Sequence, residues 1–406
     1  MEKLKSKYIS LWYNTDSKFN LKMNKVSLKD KIKNEKMIEG FRKDLFKKLK
    51  YIPSESEEKS WGNDLLNGIK DFESNLSNYD NSLIDFFIDS GYGQITEDFI
   101  KVAKEFDESM DVMDIFQAIR NVWIMNSIQI LYGMEVKLTP SIFAYSMLYP
   151  YSDNYLDDSN ISTEDKIEFN NRFRNWLLGL DDRPINKNEE HIKKLVHKIE
   201  DQYSRDKFPE VHESLLYIHS AQVESLKQQK NKTIPYEKDI LGISFEKGGA
   251  SVLADGYLVR GKLNEDEMNF CFGYGIFLQI IDDLQDIDED LANNHMTILS
   301  QLAKEYPIDK LINKLINFMN DFFLKEKVYS SKDAMKLKQV IEDSSMIMLF
   351  EAISKNKKRF SKEYVKEIES YSLVRFSYLK KLKDKFKKEF TSEDIVRISK
   401  MFKKSK

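Results

Sequence analysis

The 406-residue chain is poor in the residues that cross-link or punctuate a fold: one cysteine, seven prolines, fourteen glycines and five histidines. Cys271 stands alone, so no disulfide can form within the chain, which fits a reducing compartment. Its apolar neighbours mark it as a small core residue. Glycine and proline gather into no linker, which argues for one large domain rather than a string of small ones. The histidines lack zinc-ligand spacing beside cysteine, and there is no Gly-rich loop of P-loop or dinucleotide type. No run reaches the roughly 18–20 apolar residues of a membrane span, and residues 1–7 lead into no signal-peptide core. A cytoplasmic protein without a transmembrane segment is expected.

Net charge is only −3, but it is unevenly spread. Residues 1–50 carry +9 and residues 380–406 carry +7, leaving −19 for the middle. The basic ends could touch anionic lipid as a peripheral contact, or simply be solvated lysine-rich helix faces. They lack the aromatic interleaving of a nucleic-acid site, so no nucleic-acid partner is expected.

What is abundant is helix-forming sequence. Apolar residues recur at i, i+3, i+4 and i+7 along most of the chain, and strand-like alternation is rare. The expectation is an all-α protein, with an N-terminal helical extension over 1–60 and one helical domain over 61–406. Helices are expected near 64–89, 96–108 (capped by Thr96), 111–132 (closed by Gly133), and from Thr139-Pro140 through Asp153 with a kink at Pro150. Further helices are expected near 163–179 behind a Ser162 cap, then 190–203, 208–229, 237–260, 265–288, 308–326, 332–354 and 361–388. Gly248-Gly249 falls inside 237–260, where it calls for a kink, a closely approaching ligand or a tight helix contact.

Two acidic clusters lie 129 residues apart, each at the end of an apolar, aromatic-rich run. The first is Asp153-Asn154-Tyr155-Leu156-Asp157-Asp158; the second is Asp282-Asp283-Leu284-Gln285-Asp286, followed by Asp288, Glu289 and Asp290. Asp153 and Asp157 share a helix face, as do Asp282 and Asp286, and like charges at that spacing weaken a helix. Either cluster alone suits a solvated face. Together, beside apolar sequence, they suit a hard divalent cation. Mg2+ binds through one or two carboxylates plus substrate phosphate, so two such faces could hold a small Mg2+ cluster and a diphosphate leaving group. Phe143, Tyr145, Tyr149, Phe272 and Phe277 could then stabilise an allylic carbocation through their π faces. Arg120, beside Asn121 on an apolar helix, must find an anion or reach solvent.

The segment from Phe277 to Asp286, with Gln279, Asp282, Asp283 and Asp286, resembles the second aspartate-rich motif of the class I isoprenoid synthase superfamily, with one extra residue between Phe and Gln. Asp153 to Asp158 resembles the first motif, as D-x-x-x-D-D. Lys247, before Gly248-Gly249, sits where prenyl diphosphate synthases carry a diphosphate-binding lysine. Arg375 resembles the C-terminal arginine contact of terpene synthases, although a surface arginine would read alike. The similarity spans roughly residues 100–380. It implies a helical bundle around a central cavity and up to three Mg2+ ions held by Asp153, Asp157, Asp158, Asp282, Asp283 and Asp286. It also implies diphosphate contacts from Lys247, Arg375 and Arg120, with Gln279 orienting ligands. Dimers are common in the family, which leaves a homodimer open.

The upstream Gly-Gly-Lys-x-x-Arg segment of chain-elongating synthases has no match, nor do the paired arginines after their first motif. Asn293-Asn294-His295 replaces the Gly-Lys that follows their second. The ionising half of the site thus resembles the family while the acceptor half does not, although the Asn-Ser-Glu metal motif of typical class I terpene synthases is missing too. The resemblance therefore implies a terpene synthase of prenyl-synthase-derived type acting on a prenyl diphosphate. A chain-elongating or head-to-head prenyltransferase is the near alternative, and a non-catalytic prenyl-lipid-binding subunit the distant one.

Overall fold

A computed structural model describes residues 2–51, 53–54, 56–76, 82–157, 160–229, 237–325, 331–389, 391 and 394. The fold is all-α: the described residues form 18 α-helices and two 3-10 turns, and no strand. In chain order these are α1 (Glu2–Asn14), α2 (Leu28–Lys50), α3 (Glu58–Leu76), α4 (Ser82–Asp89), α5 (Tyr92–Phe106) and α6 (Val112–Leu131). Next come α7 (Pro140–Asp157), α8 (Thr163–Leu177), α9 (Lys187–Gln202), α10 (Pro209–Ser225), α11 (Ile240–Arg260) and α12 (Glu265–Gln285). The remainder are α13 (Ile287–Asn293), α14 (Ile298–Ala303), α15 (Asp309–Lys325), α16 (Lys332–Lys355), α17 (Lys362–Glu369) and α18 (Phe376–Glu389). No helix among the described residues is long and apolar enough to cross a membrane.

The helices gather into two compact units. One comprises Met1–Lys22, Arg120–Met134 and Thr139–Tyr364; the other comprises Met23–Ile119, Glu135–Leu138 and Val365–Lys406. Residues 1–60, expected as an extension, are shared between them. In the first unit α1 is part of the core. Tyr8 and Trp12, four residues apart on one face, are buried. Trp12 meets Phe245 and Phe318 edge-on, each at 5.6 Å between ring centres, and the Tyr8 hydroxyl donates to the Asn269 carbonyl at 2.6 Å.

The centre of that unit is the α11–α12 pair. Both helices are apolar on most sides, as a helix enclosed by others must be, and their middle residues are buried almost without interruption. The Gly248-Gly249 step does not end α11, which continues to Arg260. A Cβ on Gly248 would overlap the Gly275 carbonyl oxygen, one on Gly275 would overlap that of Gly248, and one on Gly249 would enter the Phe272 ring. The glycines are there for a close helix crossing.

Local chemistry explains the helix ends. Thr139 caps Pro140 as expected, accepting from the Ile142 amide at 3.3 Å. Ser162 accepts from the Asp165 amide at 3.0 Å, and Gly133 turns the chain at φ 67° after α6. Of the helix expected over 64–89, α3 and α4 are described, and residues 77–81 between them lie outside the described residues. Three expectations need correction. Thr96 is no cap: α5 starts four residues earlier, after Gly91 at φ 86°, and the Thr96 hydroxyl donates back to the Tyr92 carbonyl at 2.8 Å. The helix expected over 265–288 stops at Gln285, where Asp286 (φ −102°, ψ 10°) turns the chain into α13. The helix expected over 361–388 breaks in two. Lys31 of α2 donates to the carbonyls of Glu369 and Ser372, satisfying acceptors that a continuing helix would have used.

Candidate functional site

The second acidic cluster lies where α12 ends and α13 begins. The Asp283 carboxylate is buried and held on both oxygens: the Gln279 amide donates to Oδ1 at 2.8 Å and the Ser244 hydroxyl to Oδ2 at 3.3 Å. Ser244 in turn accepts from Gln228 at 3.2 Å. Burial raises Asp283 to about 6, with the neighbouring charge of Asp282 pushing the same way and Lys247 opposing. Asp290, one turn into α13, is pushed by burial and by Asp283, Asp286 and Asp282 to about 7, against a Thr297 hydroxyl 3.5 Å away. Asp282 is solvent-exposed at its surface yet crowded by protein, and that crowding together with Asp286 holds its carboxyl above the usual range.

Cations surround these carboxylates. Lys247 and Arg120 both lie within electrostatic reach of Asp282, and Lys247 also of Asp283 and His295. Lys355, the last residue of α16, approaches Asp286 to 3.5 Å, while Lys358 and Arg359 bind Asp288 at 2.9 and 2.8 Å. Buried Asn356 fastens this corner by donating to the Leu284 carbonyl at 2.7 Å. The tertiary fold thus gathers Asp282, Asp283, Asp286, Lys247, Gln279 and Arg120, all singled out from the sequence. Ser244 was missed, although its three-residue spacing from Lys247 puts the two on one face of α11. Lys355 and Thr297 were missed because nothing local connects them to α12.

The first cluster is described only in part. Asp153 is half-buried on the last turns of α7, which runs on through Pro150 to Asp157. The Asp157 side chain and all of Asp158 lie outside the described residues. One link joins the Asp153 side to α11: the Tyr145 phenol is held well above its usual range by burial first, with the neighbouring Asp255 and Asp153 carboxyls acting in the same direction. Among the described residues, no group of three or more His, Cys, Asp or Glu closes on a common point.

Of the aromatic residues, Phe143 and Phe277 are buried, and Phe272 is engaged by Gly249 and by Tyr8, at 5.7 Å between ring centres. Tyr149 is 42% exposed. Arg375 belongs to the other unit, where its guanidinium grips the buried Glu35 carboxylate at 2.9 and 2.5 Å. A diphosphate contact would have to compete with that pair. Compared with known proteins, the chain matches no family model and no curated sequence at significance.

Proposed function

We propose that the chain is a Mg2+-dependent enzyme of the class I isoprenoid synthase type that ionises an allylic prenyl diphosphate, in the manner of a terpene synthase. The observation that carries this reading is the gathering of Asp282, Asp283, Asp286 and Asp290 with Lys247 and Arg120 at the end of α12. Three of these carboxyls are raised by burial and mutual repulsion, the electrostatic state that a bound cation relieves.

The donor set suits Mg2+, being hard oxygen only. An ion that takes one or two carboxylates, and its remaining ligands from water and phosphate, needs no closed protein cage. Asp282, Asp283 and Asp286 would hold it from the end of α12 and Asp153 from α7, with Asp157 and Asp158 added as the resemblance implies. Bound there, Mg2+ supplies charge neutralisation to the diphosphate as the carbon–oxygen bond breaks. Lys247 and Arg120 bind the same anion from α11 and α6. Gln279 and Ser244 fix the Asp283 carboxylate in one orientation. Phe143, Tyr145 and Phe277 offer apolar and π surface to the hydrocarbon.

Incubation of the purified protein with geranyl, farnesyl or geranylgeranyl diphosphate and Mg2+ is expected to release diphosphate. Asp282→Ala and Lys247→Ala should each lower that release by about 100-fold or more, the usual scale for removing one group that stabilises developing charge. No release with any of the three substrates would end this reading. Consumption of added isopentenyl diphosphate would redirect it to chain elongation.

A further inference from the structure

A second polar group lies inside the first unit, and the chemistry above does not use it. Asp255, on α11, is fully buried. The Asn121 amide of α6 donates to its Oδ1 at 3.1 Å and to the Ser146 hydroxyl of α7 at 3.2 Å, and Ser146 is fully buried too. Asp255 Oδ2 is buried and finds no hydrogen-bond partner. Next to Asp255 in the chain, Ala254 belongs to an apolar cluster with Ala250, Ile218 and Ala221, against which Tyr145 packs.

Burial drives the Asp255 carboxyl far above the usual carboxylate range, so the fold favours its neutral, protonated form. Because Oδ1 accepts from Asn121, the proton belongs on Oδ2. That oxygen is therefore a hydroxyl donor without an acceptor from the protein, a condition native interiors rarely tolerate unless a ligand or water answers it.

The placement says what could answer it. Lys247, Ser251 and Asp255 are spaced four apart on one face of α11, and Ser146 lies seven residues before Asp153 on one face of α7. The polar group is therefore two helical turns, about 11 Å along the axis, from the residues assigned to diphosphate and metal. Asn121 is the immediate neighbour of Arg120, and Tyr145 senses both Asp255 and Asp153.

We propose that Asp255, Asn121 and Ser146 form a subsite for a single oxygen, a water molecule, beside the hydrocarbon part of the substrate, and that it directs the product toward an alcohol. This rests on the ionisation reading above. The substrate's carbon–oxygen bond breaks with its electron pair leaving on diphosphate. The water's lone pair then forms a new carbon–oxygen bond at the cationic carbon, and the proton that water loses ends on the released diphosphate. Asp255 Oδ2 donates to the water oxygen and thereby orients it; the carboxyl ends the cycle as it began. Oxygen, protons and electrons balance without an oxidant.

Two measurements test this. In the first, products formed in 18O-labelled water are analysed per diphosphate released, for the wild type, Asp255→Leu and Ser146→Ala. The wild type is expected to give a labelled terpene alcohol of one stereochemistry, and Asp255→Leu to shift the alcohol-to-hydrocarbon ratio at least about tenfold toward hydrocarbon, with Ser146→Ala shifting it the same way. Diphosphate release with hydrocarbon products only, or an unchanged ratio in both variants, overturns the subsite. The second measurement needs no turnover: thermal shift with the alcohol nerolidol against the hydrocarbon farnesene. The wild type is expected to bind the alcohol about tenfold more tightly, and Asp255→Leu to show no such preference. Equal binding of the two by the wild type overturns the subsite even if diphosphate is released. A retained preference without diphosphate release upholds the subsite and overturns only the ionisation reading.

Discussion

His219 of α10 shows how far one residue's surroundings can move it. It is buried edge-on against Phe173, with 5.3 Å between ring centres, and burial lowers its pKa to about 4. The unfolded chain binds the proton near the ordinary histidine value, so from about pH 6.5 down to 4 the unfolded state holds more protons than the folded one. The stability that neutral His219 contributes is full above that window and is lost as pH falls through it. Replacing it by phenylalanine should remove about 2 kcal/mol of the stability loss between pH 7 and 5, measured by urea unfolding at both pH values. A variant as acid-sensitive as the wild type would contradict this. At the same scale, the second acidic cluster could be read from spacing alone, because Asp282 and Asp286 lie one turn apart on one face. Asp255 could not, since an aspartate between Ala254 and Gly256 carries no local sign of its depth.

At the scale of elements, the α11–α12 crossing sets the geometry of the candidate site. Gly275→Ala places a methyl against the Gly248 backbone, which cannot yield as a side chain can. About 3 kcal/mol of destabilisation is expected, together with loss of diphosphate release as Gln279 and Asp283 shift. Wild-type stability in a denaturant titration would refute the close contact. The end of α12 also predicts a cation effect with a definite sign. Asp283 and Asp290 titrate at about 6 and about 7 in the fold, above the ordinary aspartate range. What they contribute to stability is therefore full below about pH 4 and declines as pH rises through 6 to 7. Mg2+ competes with those protons, so its stabilising effect should be near zero at pH 5 and reach several degrees at pH 8. A thermal melt with and without Mg2+ decides this, and an equal gain at both pH values would count against metal binding there. The glycine pair was visible in the sequence, but its partner on α12 was not, because a close crossing leaves its mark on two helices at once.

For the whole molecule, contacts distant in sequence decide the architecture. Trp12 lies more than 230 residues from Phe245 and about 300 from Phe318, yet all three pack together. Trp12→Ala should cost about 3–5 kcal/mol, read from denaturant unfolding; a cost below about 1 kcal/mol would show that α1 only rests on the surface. By itself the sequence determined the all-α class, most helix positions, and the carboxylates of α12 with Lys247. Those follow from periodicity, caps and i, i+4 spacing, which act over a few residues. Only the tertiary structure decided that α1 belongs to a core, that residues 1–60 are divided between two units, that Arg375 is bound to Glu35, and that Asp255 is buried beside Asn121. Each of these depends on loop closures of tens to hundreds of residues, whose outcome is set by competition among whole apolar faces rather than by any local pattern.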